Sequence, residues 1–284
     1  MAAELEDEFG DIVAKARRGL GMDANDLAHA AGIGAGMLHE FETYVRKPTE
    51  AECQMLAEIL DLDSAALWDI ADGRWAPAPV SLDLAGRGRI ATIPHPPFRV
   101  TMYVVGDTQT QQALIVDPGA DADGILNAVR QQGWQPVGVL ITHADHDHIG
   151  ALAEIERAHS APVWLHTDEH IRLKGVTPRK VHLIDSTGDF TVGPFHVRAL
   201  ETPGHSAGHT SFAVRDAVLV GDTLFAGSLG RPSGPATYGA HLKAVRDNIL
   251  TLPPATKLFA GHGPPTTVGE ERAHNPFFAS HYRS

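Results

Sequence analysis

The sequence predicts an α/β domain preceded by a small all-α domain. Three observations support this division. Apolar residues recur at helical spacing over residues 10–72, proline and alanine alternate in a linker at 76–80, and β-rich runs then alternate with helical segments. Helical spacing predicts amphipathic helices, and strands interspersed with helices are typical of an α/β architecture. We therefore assign a helical domain to residues 1–75 and an α/β domain to residues 76–284.

The helical domain is expected to hold about five short helices. Its apolar repeats are Ile12-Val13-Ala16, Leu27-Ala28-Ala31, Met37-Leu38-Phe41 and Met55-Leu56-Ile59-Leu60. Glycine, proline and aspartate interrupt these repeats near residues 19–21, 32, 47–48 and 61–63, where helices are expected to stop. We expect residues 80–284 to fold and bind metal without this domain.

The α/β domain shows alternating strand and helix signals. The expected strands are Val100–Val105, Ala113–Asp117, Val137–Thr142, Val163–His166, Phe195–Thr202, Thr210–Val214, Ala217–Val220 and Lys257–Ala260. The expected helices are Ile125–Gln132, Ala151–His159 and His241–Leu250. Short β-rich runs bounded by turn residues are typical of strands.

Composition points to a cytoplasmic protein. The acidic first residues carry no secretory signal, and no run approaches the ~20 apolar residues of a membrane span. The single cysteine, Cys53, cannot form an internal disulfide, which is typical of a reducing compartment. We expect a small-molecule substrate and no membrane partner.

Four polar clusters follow predicted strands. They occupy residues 142–150, 202–209, 221–225 and 261–264. Strand ends allow a rigid sheet to direct side chains from distant parts of the sequence to one point. The first cluster packs three histidines and two aspartates into residues 143–148. Such a mixed nitrogen and oxygen set suits zinc, iron or manganese, so the clusters predict a metal site.

The clusters, in this order, resemble those of the metallo-β-lactamase superfamily, and its glyoxalase II-like branch in particular. The matching residues are Thr142, His143, Asp147 and His148 of the first motif, His205 in Thr-Pro-Gly-His, Asp222 in Gly-Asp-Thr-Leu-Phe, and His262. The segment from Gly261 to Phe277 is also similar to that branch. The resemblance spans about residues 80–280 and implies an αββα sandwich. It also implies a hydrolase.

One position departs from the family pattern. Asp145 stands where the family usually has its second histidine. Some superfamily members resemble this variant, so metal binding can persist. The neighbouring His146 falls on a variable position, and its role as a ligand stays open.

The resemblance implies two metal sites that share one ligand. His143, Asp145 and His205 would hold the first cation, Asp147, His148 and His262 the second, and Asp222 would bridge them. Two divalent cations, zinc first and iron or manganese as alternatives, can hold a hydroxide at neutral pH and polarise a carbonyl oxygen. Such a site suits attack on a thioester, a lactone or a related acyl group. Asp147 could also orient the nucleophile.

The helical domain resembles a Cro/repressor-type helix-turn-helix. Asp26–Ile33 matches the first helix and turn, and Met37–Phe41 matches the recognition helix. However, residues 1–75 carry sixteen acidic and six basic side chains, which gives −10 of the formal charge of −12. Because neutralisation of phosphates supplies much of DNA affinity, we do not expect DNA binding. We favour dimerisation or docking of a partner, and we expect a homodimer.

Two further functions compete with the hydrolase. Persulfide dioxygenases use one iron held by two histidines and an aspartate, and His143, His205 and Asp222 match those ligands. The third hypothesis is a metabolite-sensing regulator with the helical domain as its output. The sequence does not identify the substrate.

Overall fold

The computed structural model describes residues 4–173 and 175–282. In the described N-terminal region the chain forms five helices, as the apolar repeats predict. They are α1 (Phe9–Gly19), α2 (Ala24–Ala30), α3 (Ala35–Glu42), α4 (Glu50–Leu60) and α5 (Ser64–Ala71).

Capping side chains explain where three of these helices begin. Asp23 and Asp63 each accept a hydrogen bond from a backbone N–H in the first turn of α2 and α5. Thr49 and Glu52 form a capping box at the start of α4. These N–H groups have no acceptor inside the helix, and a cap of this kind stabilises a helix by about 0.5–2 kcal/mol.

The first sheet contains seven strands within the described residues. They are β1 (Asp83–Leu84), β2 (Gly88–His95), β3 (Val100–Asp107), β4 (Gln112–Val116), β5 (Gln135–Leu140), β6 (Val163–His166) and β7 (Val181–Ile184), in that spatial order. Pairing is antiparallel from β1 to β4 and parallel from β4 to β7. The parallel connections carry α6 (Ala122–Gln132), α7 (His146–Ile149), α8 (Leu152–His159) and α9 (Thr167–Arg172).

The second sheet contains six strands in the described part of the chain. They are β8 (Gly188–Val192), β9 (Phe195–Glu201), β10 (Thr210–Val214), β11 (Ala217–Gly221), β14 (Lys257–Ala260) and β15 (Thr266–Thr267). A hairpin of β12 (Leu224–Phe225) and β13 (Ser228–Leu229) follows β11. Next come α10 (Pro235–Ala244) and a π-helical turn at Val245–Ile249, and α11 (Val268–His274) follows β15.

The two sheets pack face to face with helices on both outer faces. Leu114 of the first sheet and Phe212 and Phe259 of the second belong to one buried cluster between them. A second cluster joins the outer face of the first sheet to α6 and α8 through Ile125 and Ile155. The layers therefore run helix, sheet, sheet, helix, which is the predicted sandwich.

The N-terminal helices share a hydrophobic core with the second sheet. Along β11, Ala217 and Leu219 face the first sheet, whereas Val218 and Val220 belong to a cluster that also contains Ile12. This alternation is the period-two pattern of a strand. Because the cluster spans both segments, the structure argues against the expectation that residues 80–284 fold alone.

Several elements differ from the sequence prediction, and strands β7 and β8 and helices α9 and α11 are among those that were not predicted. Strand β2 was not predicted, because Gly88 and Pro94 interrupt its β-rich pattern. The helix expected at His241–Leu250 begins earlier, at Pro235. Proline is favoured in the first turn of a helix, where its missing N–H removes no hydrogen bond. None of the helices in the described residues is long and apolar enough to cross a lipid bilayer.

Candidate metal centre

The four polar clusters meet at one end of the sandwich. Asp222 follows β11 directly, and His262 lies just beyond β14, which is parallel to β11. His143 follows β5, and His205 lies in the connection between β9 and β10. Because parallel strands bring their carboxyl ends to the same edge of a sheet, residues far apart in the sequence come together here.

A first group of possible ligands consists of His143, His205 and Asp222. One ligand atom of each lies within 4.8 Å of the others. The His143 side chain is completely buried, whereas His205 and Asp222 expose 12% and 10% of their side chains. Two imidazole nitrogens and one carboxylate oxygen at this spacing are a donor set that can hold a cation.

A second group consists of Asp147, His148 and His262, whose ligand atoms also lie within 4.8 Å of one another. Asp222 lies between the two groups. Its Oδ1 is 3.3 Å from His148 Nε2, and its Oδ2 is 3.4 Å from His262 Nε2 and 4.0 Å from His205 Nε2. The structure thus places Asp222 where a bridging carboxylate would stand.

Three buried polar atoms at this point make no well-aligned hydrogen bond with a described residue, although two of them, His148 Nε2 and Asp222 Oδ1, lie 3.3 Å apart. They are His143 Nε2, His148 Nε2 and Asp222 Oδ1. A buried polar group without a partner costs about 1–3 kcal/mol, so such atoms are uncommon in native proteins. Because these atoms are typical metal ligands and converge on one place, the donor set fits a cation.

Electrostatics also favour a cation. Burial, together with His148, lowers the pKa of His143, which keeps its ring neutral and a nitrogen lone pair available. Burial would raise the pKa of Asp222, but neighbouring imidazoles hold it well below its usual value. Burial would lower the pKa of His262, yet Asp147 and Asp222 raise it to about 10. A metal ion would take the place of this proton.

Hydrogen bonds from surrounding groups fix the histidine rings. His148 Nδ1 lies 3.1 Å from Asp117 Oδ2. His205 Nδ1 donates to the backbone oxygen of Arg231 at 2.9 Å, and His262 Nδ1 donates to that of Arg99 at 3.0 Å. Partners of this kind set the tautomer, so the remaining nitrogen of each ring faces the candidate site.

Asp145 lies beside the first group and also forms an ion pair with a residue that belongs to neither group. Its Oδ2 is 3.2 Å from His205 Nε2 and 3.8 Å from His143 Nε2. Its Oδ1 forms an ion pair with Arg172, which also contacts the buried Glu169. The Arg172 guanidinium therefore adds a positive charge next to the extra carboxylate of this sequence.

His146 belongs to neither group of possible ligands. It is exposed, and its ring is nearly perpendicular to that of Phe98, with the centroids 6.5 Å apart. His95 stacks on Phe98, with the centroids 5.3 Å apart. The structure thus places His146 among aromatic side chains, outside the candidate ligand groups.

Sequence reasoning missed two buried residues that support the site. Asp117 binds the backbone N–H and the hydroxyl of Thr142, both at 2.7 Å, in addition to His148. His209 Nε2 accepts a hydrogen bond from the backbone N–H of Asp222 at 3.1 Å. Their positions in the sequence could have indicated this supporting role, since Asp117 follows a buried strand and His209 ends the second polar cluster.

The candidate centre opens into a cleft of about 620 Å³. One side is formed by residues of the α/β region, namely Asp145, Asp147, His205, Asp222, Phe225, Arg231 and His262. The other side comes from the N-terminal region, with Glu6, Asp7, Asp11, Ala14, Lys15, Arg18, His39, Glu42 and Thr43. We call these nine residues the helical wall.

Comparison with known proteins agrees with this geometry. A family described as the metallo-beta-lactamase superfamily matches residues 95–262, more than half of the chain. The probable metallo-hydrolase YqgX of Bacillus subtilis is 37% identical over 205 residues, covering 65% of this chain and 95% of that protein. The hydroxyacylglutathione hydrolase GloC of Haemophilus influenzae is 26% identical over 209 residues, covering 67% and 98% respectively.

A solved structure also resembles this chain. The BLEG-1 B3 metallo-beta-lactamase is 35% identical and aligns with a TM-score of 0.60, covering 66% of this chain and 98% of that one. Helices α1 to α5 precede the residues matched by the family.

Proposed function

The chain belongs to the metallo-beta-lactamase superfamily, and from this premise we propose that it is a metal-dependent hydrolase of a thioester or a related acyl compound. The observation that carries the proposal is the position of Asp222 between two groups of ligand atoms. Within the superfamily we place the chain in the glyoxalase II-like branch.

The proposed ligands follow the two groups. His143 and His205, with Asp145 beside them, would hold one cation, and Asp147, His148 and His262 would hold the other, with Asp222 shared. We expect zinc, with iron or manganese as alternatives. When bound, two divalent cations would lower the pKa of a water molecule and polarise a carbonyl oxygen.

The side chains of the chain would then position the reactants. Asp147 exposes 30% of its side chain and lines the cleft, so its carboxylate can orient a water molecule and accept its proton. Hydrolysis adds water across the acyl–sulfur bond, which breaks to release a carboxylic acid and a thiol. Phe225, also in the cleft, offers an apolar surface to the substrate.

The preference for thioesters rests on similarity. The name of GloC states that it hydrolyses hydroxyacylglutathione, which is a thioester. The test is an assay of the metal-loaded protein against a hydroxyacylglutathione, a lactone, a phosphodiester and a β-lactam. We expect thiol release from the thioester to exceed turnover of the phosphodiester and the β-lactam. Turnover of the phosphodiester alone would contradict the proposal.

One observation favours a mono-iron alternative. His143, His205 and Asp222 form a complete group by themselves, with the two imidazoles and one carboxylate that a persulfide dioxygenase requires. In that case the second group would not be needed for activity, and the reaction would consume oxygen.

Arg172 gives a test of the role of Asp145. If Asp145 binds the first cation, Arg172→Ala should release the Asp145 carboxylate from its ion pair, so that this carboxylate is no longer held in place. The affinity for the first cation should then fall about 10- to 100-fold, as it does when a residue that orients a metal ligand is lost. Asp145→Ala should empty the same position, while the second cation stays. Chelator competition measures both affinities.

Arg157→Ala is the matched control for this test. Arg157 is an exposed arginine on α8 that makes no ion pair with a described residue. If the Arg172→Ala and Arg157→Ala variants bind both cations with equal affinity, Arg172 does not contribute to binding of the first cation.

A further inference from the structure

The helical wall closes one side of the candidate active site. The residues of α1 that take part include Asp11, Lys15 and Arg18, which lie at helical spacing. His39 and Glu42 come from α3, the helix that resembles a DNA-recognition helix. These side chains face the cleft, so the segment is placed to contact whatever enters it.

Helix α1 is firmly attached at this position. Lys15 Nζ donates to the backbone oxygen of Leu229 at 2.8 Å and lies 4.7 Å from the centre of the Phe225 ring. Gly19 packs so closely on Tyr238 that an added Cβ would lie 2.5 Å from its ring. The wall is therefore a fixed part of the cleft.

The acidic side chains of the wall all have partners. The pairs are Glu6 with Arg99, Asp7 with Lys15, Asp11 with Tyr44 and Glu42 with Arg17. Arg17 binds both carboxylate oxygens of Glu42, at 2.8 and 3.0 Å. The four carboxylates of the wall are thus engaged within the protein, although residues 1–75 are strongly acidic overall.

Two arginines of the cleft differ from this pattern. Arg18 and Arg231 both line the cleft and are exposed. Neither guanidinium forms an ion pair or a hydrogen bond with any residue that the structure describes. Arg18 lies one helical turn after Lys15, and Arg231 lies two residues after Leu229. The hydrogen bond between Lys15 and Leu229 therefore brings the two arginine-bearing segments together.

We propose that Arg18 of the helical wall and Arg231 form a subsite for an anionic group of the substrate, a carboxylate or a phosphate, at the mouth of the metal cleft. Guanidinium groups bind such anions through paired N–H donors. The inference rests on the proposed function and narrows its substrate to acyl compounds with a negative charge beyond the scissile bond. It also gives the helical segment a role in substrate selection instead of DNA binding.

The test compares anionic probes with neutral methyl esters of the same acid. For binding we choose 3-(propylthio)propanoate, which has no scissile carbonyl, and its neutral methyl ester. For catalysis we choose 3-(acetylthio)propanoate, its methyl ester and 2-(acetylthio)ethyl phosphate, so that the two anions are compared. The proteins are the metal-loaded full chain, Arg18→Ala, Arg231→Ala and the control Arg157→Ala.

We expect the wild type and Arg157→Ala to bind the propanoate more tightly than its ester. Arg18→Ala should lose about tenfold in affinity for the propanoate, since hydrogen bonds to charged groups contribute this order of free energy. The KM of Arg18→Ala for the anionic thioesters should also rise about tenfold, with kcat nearly unchanged. Its KM for the methyl ester of the thioester should stay at the wild-type value. The larger rise, for carboxylate or for phosphate, identifies the preferred anion.

The outcomes separate the two proposals. If the wild type does not bind the propanoate more tightly than its ester, or if Arg18→Ala binds it as well as Arg157→Ala does, the anion subsite is wrong. This result would leave thioester hydrolysis untouched. If Arg18 governs binding but the wild type hydrolyses none of the thioesters, the subsite stands and the proposed reaction is wrong.

Discussion

Asp222→Asn is expected to abolish activity and to release bound metal. The change keeps the shape of the side chain but removes the negative charge that lies between the two groups of ligand atoms. Since a bound cation contributes several kcal/mol to stabilising the transition state, we expect kcat/KM to fall about a thousandfold or more. Metal content after gel filtration and hydrolysis of a thioester measure the two effects.

Asp189→Asn provides the control for this substitution. Asp189 lies on β8, exposes 56% of its side chain and pairs only loosely with His196, at 3.7 Å. This variant should keep the metal content and the activity of the wild type. An Asp222→Asn variant that behaves the same way would show that Asp222 is not a shared ligand.

Deleting residues 1–75 is expected to prevent stable folding. The deletion removes Ile12, Leu27 and Leu56 from the cluster that also holds Val218 and Val220 of the second sheet. It would expose this apolar face to water, and contiguous apolar surface of this kind promotes aggregation. We expect the truncated chain to be insoluble or to lack a cooperative thermal transition by circular dichroism.

A point substitution gives a graded version of the same test. Ile12 is fully buried, so Ile12→Ala should lower the free energy of unfolding by about 2–5 kcal/mol. Ile171→Ala makes the same chemical change at a side chain that is 77% exposed and should have almost no effect. A truncated chain that melts cooperatively at the wild-type temperature would show that the two segments fold independently.

Local pattern was enough to predict most of the secondary structure. The apolar repeats predicted α1 to α5, and three strands were predicted with the bounds observed: Val163–His166, Thr210–Val214 and Lys257–Ala260. Strand β2 could not be predicted because its exposed positions and Pro94 weaken the signal, and antiparallel pairing with β3 forms it instead. Long-range pairing of this kind is not visible in a local window.

The candidate ligands were easier to predict than their surroundings. His143, His148, His205, Asp222 and His262 stand in polar clusters after strands, so their side chains could be expected to meet. Arg172 lies on a separate helix with no local signal, and its ion pair with Asp145 depends on how α9 packs. The position of the helical wall was not predicted at all, because it places residues 6–43 opposite cleft residues that lie more than a hundred positions later in the sequence.

Metal content, thiol release and oxygen consumption, measured together on the purified full chain, test the central claim most directly. The proposed hydrolase predicts two divalent cations for each chain and thiol release from a thioester without oxygen uptake. Activity should disappear with a chelator and return when the metal is added back. One iron ion for each chain, with oxygen consumed and no hydrolysis of the thioester, would contradict the claim.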